Sequence, residues 1–130
     1  MRFSHVSITV KNIEDSIKFY RDVMNLELES RRQIPENNAE IAFLSDKLNN
    51  VRIELTFWKE KVDWISGDEL DHLAFNVPDM DEAVKRFRKL NVEIAKEPYS
   101  LEGSTSKIAF IKDPNEIWIE LIEQRSVYRS

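Results

Sequence analysis

Cysteine is absent from this chain, which removes disulfides, thiolate metal sites and a cysteine nucleophile together. Glycine occurs only twice, at Gly67 and Gly103, so there is no glycine-rich loop to cradle phosphates. No run approaches the roughly 18 apolar residues of a membrane span. The N-terminal MRFSHVSITVKN lacks the apolar core of a signal peptide. Together these absences give a cytoplasmic, non-membrane expectation by default. Basic blocks are missing too, and a net charge of −5 argues against a nucleic-acid partner. What remains is 42% hydrophobic and 33% charged over 130 residues. That balance suits a soluble globular chain forming one domain, or two small halves that share a core.

The chain is written twice. HVSITVKNIEDSIKFYRDV from His5 lies on HLAFNVPDMDEAVKRFRKL from His72, and NLEL at Asn25 matches NVEI at Asn91. IAFLSD at Ile41 matches IAFIKD at Ile108, and RIEL at Arg52 matches WIEL at Trp118. Four blocks in the same order define a first half over 1–66, a second over 67–123 and a polar tail over 124–130. Each half opens on an alternating, strand-like run. A helix start follows, with Asn12 three residues before Asp15 and Asp79 three before Glu82. Ile13, Ile17, Tyr20 and Met24 recur at helical spacing, as do Met80, Ala83 or Val84, Phe87 and Leu90. Three more strand-like runs are predicted near 26–32, 39–44 and 51–58, and again near 92–97, 107–112 and 117–122. The unit is βαβββ, present in tandem, in an α+β fold.

A helix covers only one face of such a sheet, and alternation sorts the residues between faces. Val6, Ile8 and Val10 form the apolar face, leaving His5 with Ser7 and Thr9. Leu73, Phe75 and Val77 do the same in the second half, leaving His72 with Ala74 and Asn76. Glu54 lies opposite Ile53 and Leu55. Glu120 lies opposite Ile119 and Leu121, as a carboxylate inside the apolar run NEIWIELIE. An unpaired charge there is costly and calls for a cation or a proton. Both histidines and one glutamate from each half thus hold equivalent positions on the face away from the helix. Two imidazoles and two carboxylates suit a divalent ion such as Zn, Ni, Co, Mn or Fe(II). Taken singly, each residue has a plainer reading: a solvated glutamate or a hydrogen-bonded edge histidine. The repeat is what ties them together.

On these residues the chain resembles the vicinal oxygen chelate superfamily, and within it the glyoxalase I (lactoylglutathione lyase) branch. The resemblance runs from His5 through Phe19–Tyr20 to IAFIKDPNEIWIELIE, with DPNEIWIEL similar to the family's closing motif and VRIELT to its first glutamate strand. It implies the glyoxalase/bleomycin-resistance/extradiol dioxygenase fold. It also implies one divalent metal per site (Ni, Co or Zn) held by His5, Glu54, His72 and Glu120. The implied partners are a small-molecule substrate and a second copy of the chain, in a homodimer whose sites are shared between chains. The implied reaction isomerises a thiol hemithioacetal of methylglyoxal. A proton moves through an enediolate whose oxygens the metal holds, with Glu120 as base and Glu54 as its counterpart. Glutathione-using relatives typically carry arginine and asparagine where Thr9 and Trp58 stand here. Arg52, Ser104, Thr105, Lys107 and Trp118 complete the candidate substrate contacts, with Trp64 a further aromatic for the cup or a dimer seam. The rival readings are an acyl-CoA epimerase using the same proton transfer and a metal-free small-molecule-binding protein.

Overall fold

The computed structural model describes residues 1–61, 63, 67, 69–100 and 102–124; Trp64 and nearly all of the polar tail lie outside them. The chain divides into two compact units, Met1–Ser66 and Gly67–Ser130. In the first unit, β1 (Val6–Thr9) leads into α1 (Ile13–Lys18), which continues as a π-type turn over Phe19–Val23. Strands β2 (Glu27–Ile34), β3 (Ala39–Asp46) and β4 (Val51–Trp58) follow. The second unit repeats this with β5 (Leu73–Val77), α2 (Met80–Lys89), β6 (Ile94–Ser100), β7 (Lys107–Lys112) and β8 (Trp118–Glu123). Both sheets have the same strand order, β1-β4-β3-β2 and β5-β8-β7-β6, with the first pair parallel and the rest antiparallel. The expected α+β architecture of two βαβββ modules is the one observed.

The helix signals act as the sequence suggests. The Asn12 side chain accepts a hydrogen bond from the Asp15 amide at 3.0 Å, and Asp79 does the same for Glu82 at 3.1 Å. Ile13, Ile17, Tyr20, Met80, Val84 and Phe87 are buried against the sheets. Each such side chain contributes about 1.5–3 kcal/mol relative to exposure. Leu90, by contrast, is exposed, because α2 has already ended and Leu90 is its cap. Asn91 then takes a left-handed conformation, and Val92 N–H returns to the Phe87 carbonyl at 3.0 Å. Asn25 is left-handed at the matching place in the first unit. Asparagine tolerates that conformation better than other side-chain-bearing residues, which explains the recurring Asn of NLEL and NVEI.

Two aspartates set the strands that carry the glutamates. Asp46 accepts from the Leu48 amide and the Asn49 side chain in the turn before β4. Asp113, buried, accepts from the amides of Asn115 and Ile117, each at 2.8 Å, before β8. These turns fix where β4 and β8 begin. A slip of one residue would put Glu54 and Glu120 on the helix side.

Candidate metal centre

Glu54 lies in the middle of β4, beside Ser7 on β1 and Phe43 on β3. Glu120 lies in the middle of β8, beside Ala74 on β5 and Phe110 on β7. The residues flanking each, Ile53 and Leu55 or Ile119 and Leu121, are buried on the helix side, so both carboxylates point the other way. The histidines sit just before the first strand of each unit and lean over this face. His72 Nε2 is 3.4 Å from Glu120 Oε1, and His5 Nε2 is 3.9 Å from Glu54 Oε1.

The other ring nitrogen is occupied in both cases. His72 Nδ1 is 2.6 Å from Asp71 Oδ1, and His5 Nδ1 is 2.8 Å from the Ser4 hydroxyl. A carboxylate accepts only, so His72 Nδ1–H is the donor to Asp71, the tautomer that would leave the Nε2 lone pair for a metal ion between it and Glu120. Two ligands each about 2.1 Å from one ion, at 90–109°, stand about 3.0–3.4 Å apart. The His72–Glu120 pair already meets that spacing, and His5–Glu54 needs to close by roughly half an ångström. Imidazole nitrogen and carboxylate oxygen are also the donor types that divalent Zn, Ni and Co accept. The residues therefore fit a metal. Each unit holds one histidine–glutamate pair, and among the described residues no three His, Asp or Glu side chains gather into one cluster.

The two pairs are alike in outline and different in neighbours. Phe43 stands edge-on to His5 at 4.9 Å between ring centroids, and Phe110 stands edge-on to His72 at 6.0 Å. Around Glu54 the neighbours are hydroxyls: Thr56 Oγ1 donates to Glu54 Oε1 at 3.3 Å and lies 2.9 Å from Ser7 Oγ. Around Glu120 the equivalent neighbours are Ala74 and Ile122, which have nothing to donate. Phe43, Phe110, Asp71 and Ser4 were not singled out by sequence reasoning. The phenylalanines were visible in principle, because IAF recurs in both halves and puts Phe43 and Phe110 on the glutamate face.

The remaining candidates scatter. Thr9 is on the site face of β1, across from Thr56. Arg52 is on the site face of β4 with its Nε 2.8 Å from Glu29 Oε2. Trp58 ends β4 and is exposed. Trp118 is exposed on the Glu120 face, its ring 5.5 Å from that of Phe110, with Lys112 Nζ 5.5 Å from the Trp118 ring. Ser104 and Thr105 are on an exposed loop, where Ser104 Oγ accepts from the Ser106 amide. Lys107 is a correction. Ile108 and Phe110 share the face of Glu120, so alternation turns Lys107 to the helix side, where Nζ is 3.3 Å from Asp81 Oδ1 on α2. A depression of about 530 Å³ between α2 and β6, lined by Val84, Arg88, Glu97 and Pro98 among others, also lies on the helix side. Arg88 is paired with Glu97 there, and no part of it touches the histidine–glutamate pairs.

The chain is similar to known proteins in sequence and in fold. Residues 2–121 match the family model described as the Glyoxalase/Bleomycin resistance protein/Dioxygenase superfamily. The lactoylglutathione lyase of Neisseria meningitidis serogroup A is 30% identical over 128 residues, covering 97% of this chain and 93% of its own. A lactoylglutathione lyase of Arabidopsis thaliana is 32% identical over 95% of this chain, which spans 44% of the plant protein. Among solved structures, glyoxalase I from Zea mays superposes with a TM-score of 0.84 at 26% identity, covering 95% of this chain and 44% of its own. The glyoxalase I of Leishmania major gives 0.79 at 27% identity, covering 98% of this chain and 89% of its own. On its match to the family model and these likenesses in sequence and fold, the chain belongs to the Glyoxalase/Bleomycin resistance protein/Dioxygenase superfamily.

Proposed function

We propose that this protein is a metal-dependent lyase of the glyoxalase I type, which isomerises the hemithioacetal of methylglyoxal and a thiol to the S-lactoyl thioester. One observation carries the reading: in each unit a histidine turns Nε2 to its glutamate while Nδ1 is bonded away from it. His5, Glu54, His72 and Glu120 would together hold one divalent ion, Ni, Co or Zn. The likeness to proteins named lactoylglutathione lyase supports the reaction class. When bound, the ion would supply Lewis-acid stabilisation of the negative charge that develops on the substrate oxygens.

The chain's own residues do the rest. The reaction breaks the C–H bond of the carbon bearing sulfur and places that proton on the neighbouring carbon, while the hydroxyl proton passes to the former ketone oxygen; one carbon is oxidised and its neighbour reduced, so nothing is oxidised overall. A carboxylate must take the proton and return it. Glu120 is the better placed, since Ala74 and Ile122 beside it leave its oxygens unclaimed by hydroxyl donors. Glu54, tied to Thr56 and through it to Ser7, serves as the fixed partner. Phe43 and Phe110, edge-on to the two histidines, would shield the reacting carbon from water when substrate is bound. Since each unit provides half of the ligands, we also propose a homodimer in which each site joins one unit from each chain.

The test is an assay panel. Protein stripped by chelator and reloaded with Ni, Co or Zn is given methylglyoxal equilibrated with several thiols. Thioester formation with at least one thiol, abolished by chelator and restored by metal, is the expected outcome. Metal-loaded protein that turns over none of the thiols contradicts the reading.

A further inference from the structure

We propose that Arg52 is the anion anchor of this site, a guanidinium that fixes a carboxylate on the thiol portion of the substrate. The inference rests on the lyase reading above and names the substrate class within it. Arg52 and Glu54 lie on the same face of β4, two residues apart, so their Cα atoms are separated by about 7 Å. The Arg52 guanidinium carbon is 4.2 Å from the centroid of the Phe43 ring. Phe43 is the cross-strand partner of Glu54 and the ring edge-on to His5. A guanidinium, ion-paired through Nε with Glu29, therefore stands one aromatic ring away from the His5–Glu54 pair.

The cation is held rather than loose. β2 carries an extra residue, Glu29, in the register shift between Leu28 and Ser30. Such a bulge re-aims a side chain, and Glu29 Oε2 meets Arg52 Nε at 2.8 Å. Only Nε is engaged in this way among the described residues, which leaves the terminal Nη groups. Those are the donors that take a carboxylate in a two-pronged fashion. The side chain is 35% exposed, open enough to be reached and sheltered enough for charge to count. The second unit does not duplicate the feature. Trp118 stands at the repeat-equivalent position and packs on Phe110, so the second half offers a flat apolar wall where the first offers a guanidinium. A substrate thiol with a carboxylate to place on Arg52 is the chemistry these residues recognise.

The experiment uses two non-reacting thioethers of equal size, S-methyl mercaptosuccinate (anionic) and its diamide, S-methyl mercaptosuccinamide (neutral). Each is titrated calorimetrically into metal-loaded wild type, Arg52→Gln and Arg52→Lys, with metal content measured in parallel. Wild type is expected to bind the anionic compound at least tenfold more tightly. Arg52→Gln should erase that preference while changing affinity for the neutral compound less than threefold and leaving metal content intact. Arg52→Lys should restore only part of it, since an ammonium lacks the planar fork. Kinetically, Arg52→Gln should raise KM for the mercaptosuccinate hemithioacetal tenfold or more, with kcat within about twofold. The inference is overturned if wild type shows no preference, if Arg52→Gln weakens both compounds alike, or if it loses metal. A charge preference in protein that binds no metal would sink the lyase reading and leave the anchor standing. Metal and turnover without a charge preference would do the reverse.

Discussion

Asp71 holds Nδ1 of His72 at 2.6 Å through a carboxylate, whereas the equivalent His5 meets only the hydroxyl of Ser4. A carboxylate behind a ligating imidazole fixes its tautomer and raises its basicity more than a neutral hydroxyl does. As ligands of the proposed metal, the two histidines would therefore be unequal. Asp71→Asn is expected to weaken metal binding by about 10–100-fold, and Ser4→Ala by clearly less. Competition against a chromophoric chelator reads both. Equal losses would remove the distinction between the halves.

The hydroxyls around Glu54 and their lack around Glu120 set up a second comparison. At saturating metal, Glu120→Gln should lower kcat by about 10²–10⁴-fold, the range of a lost general base. Glu54→Gln should cost less, because that carboxylate is expected to ligate and not to carry the proton. The opposite order of kcat values would exchange the two roles.

Stability should be separable from the site. Asn12→Ala and Asp79→Ala each remove a helix N-cap and should each cost about 1 kcal/mol. Because they sit in different units, their effects should add in the double variant. Urea denaturation gives the stabilities, and metal affinity should stay unchanged. A drop in metal binding on losing either cap would mean that helix ends, as well as strands, position the ligands.

Assembly has its own test. His5→Ala and Glu120→Gln each break one half-site, in different units. In a two-fold dimer with shared sites, mixed dimers place one doubly broken site beside one intact site. Equal mixing with full exchange should then restore about a quarter of wild-type activity. Subunit exchange proven by mass spectrometry with no recovery would place each site within a single chain.

Much of this was legible before any coordinates. The repeat carried the βαβββ unit, and period-two alternation carried His5, Glu54, His72 and Glu120 to the face opposite the helix. Lys107 entered the candidate set through the loop before its strand and not through alternation; counting back from Phe110 turns it toward α2 and Asp81. Leu90 kept helical spacing but fell on the cap, where the chain reverses and exposes it. The supporting contacts were harder. Asp71 and Ser4 act through side-chain geometry at a strand entrance, which no periodicity encodes. Glu29 reaches Arg52 through a bulge, and a bulge shifts the very parity that sequence reading relies on.

The central claim is that one divalent ion joins both histidine–glutamate pairs and so neutralises Glu120 within its apolar strand. Equilibrium dialysis followed by elemental analysis tests this most directly, on wild type, His5→Ala and Glu120→Gln, one variant from each unit. Wild type should hold close to one Ni, Co or Zn per chain and melt at a higher temperature with metal than with chelator. Both variants should lose most of the metal and most of that shift. Unchanged metal content in both variants, or wild-type melting curves identical with chelator and with saturating metal, would contradict the account.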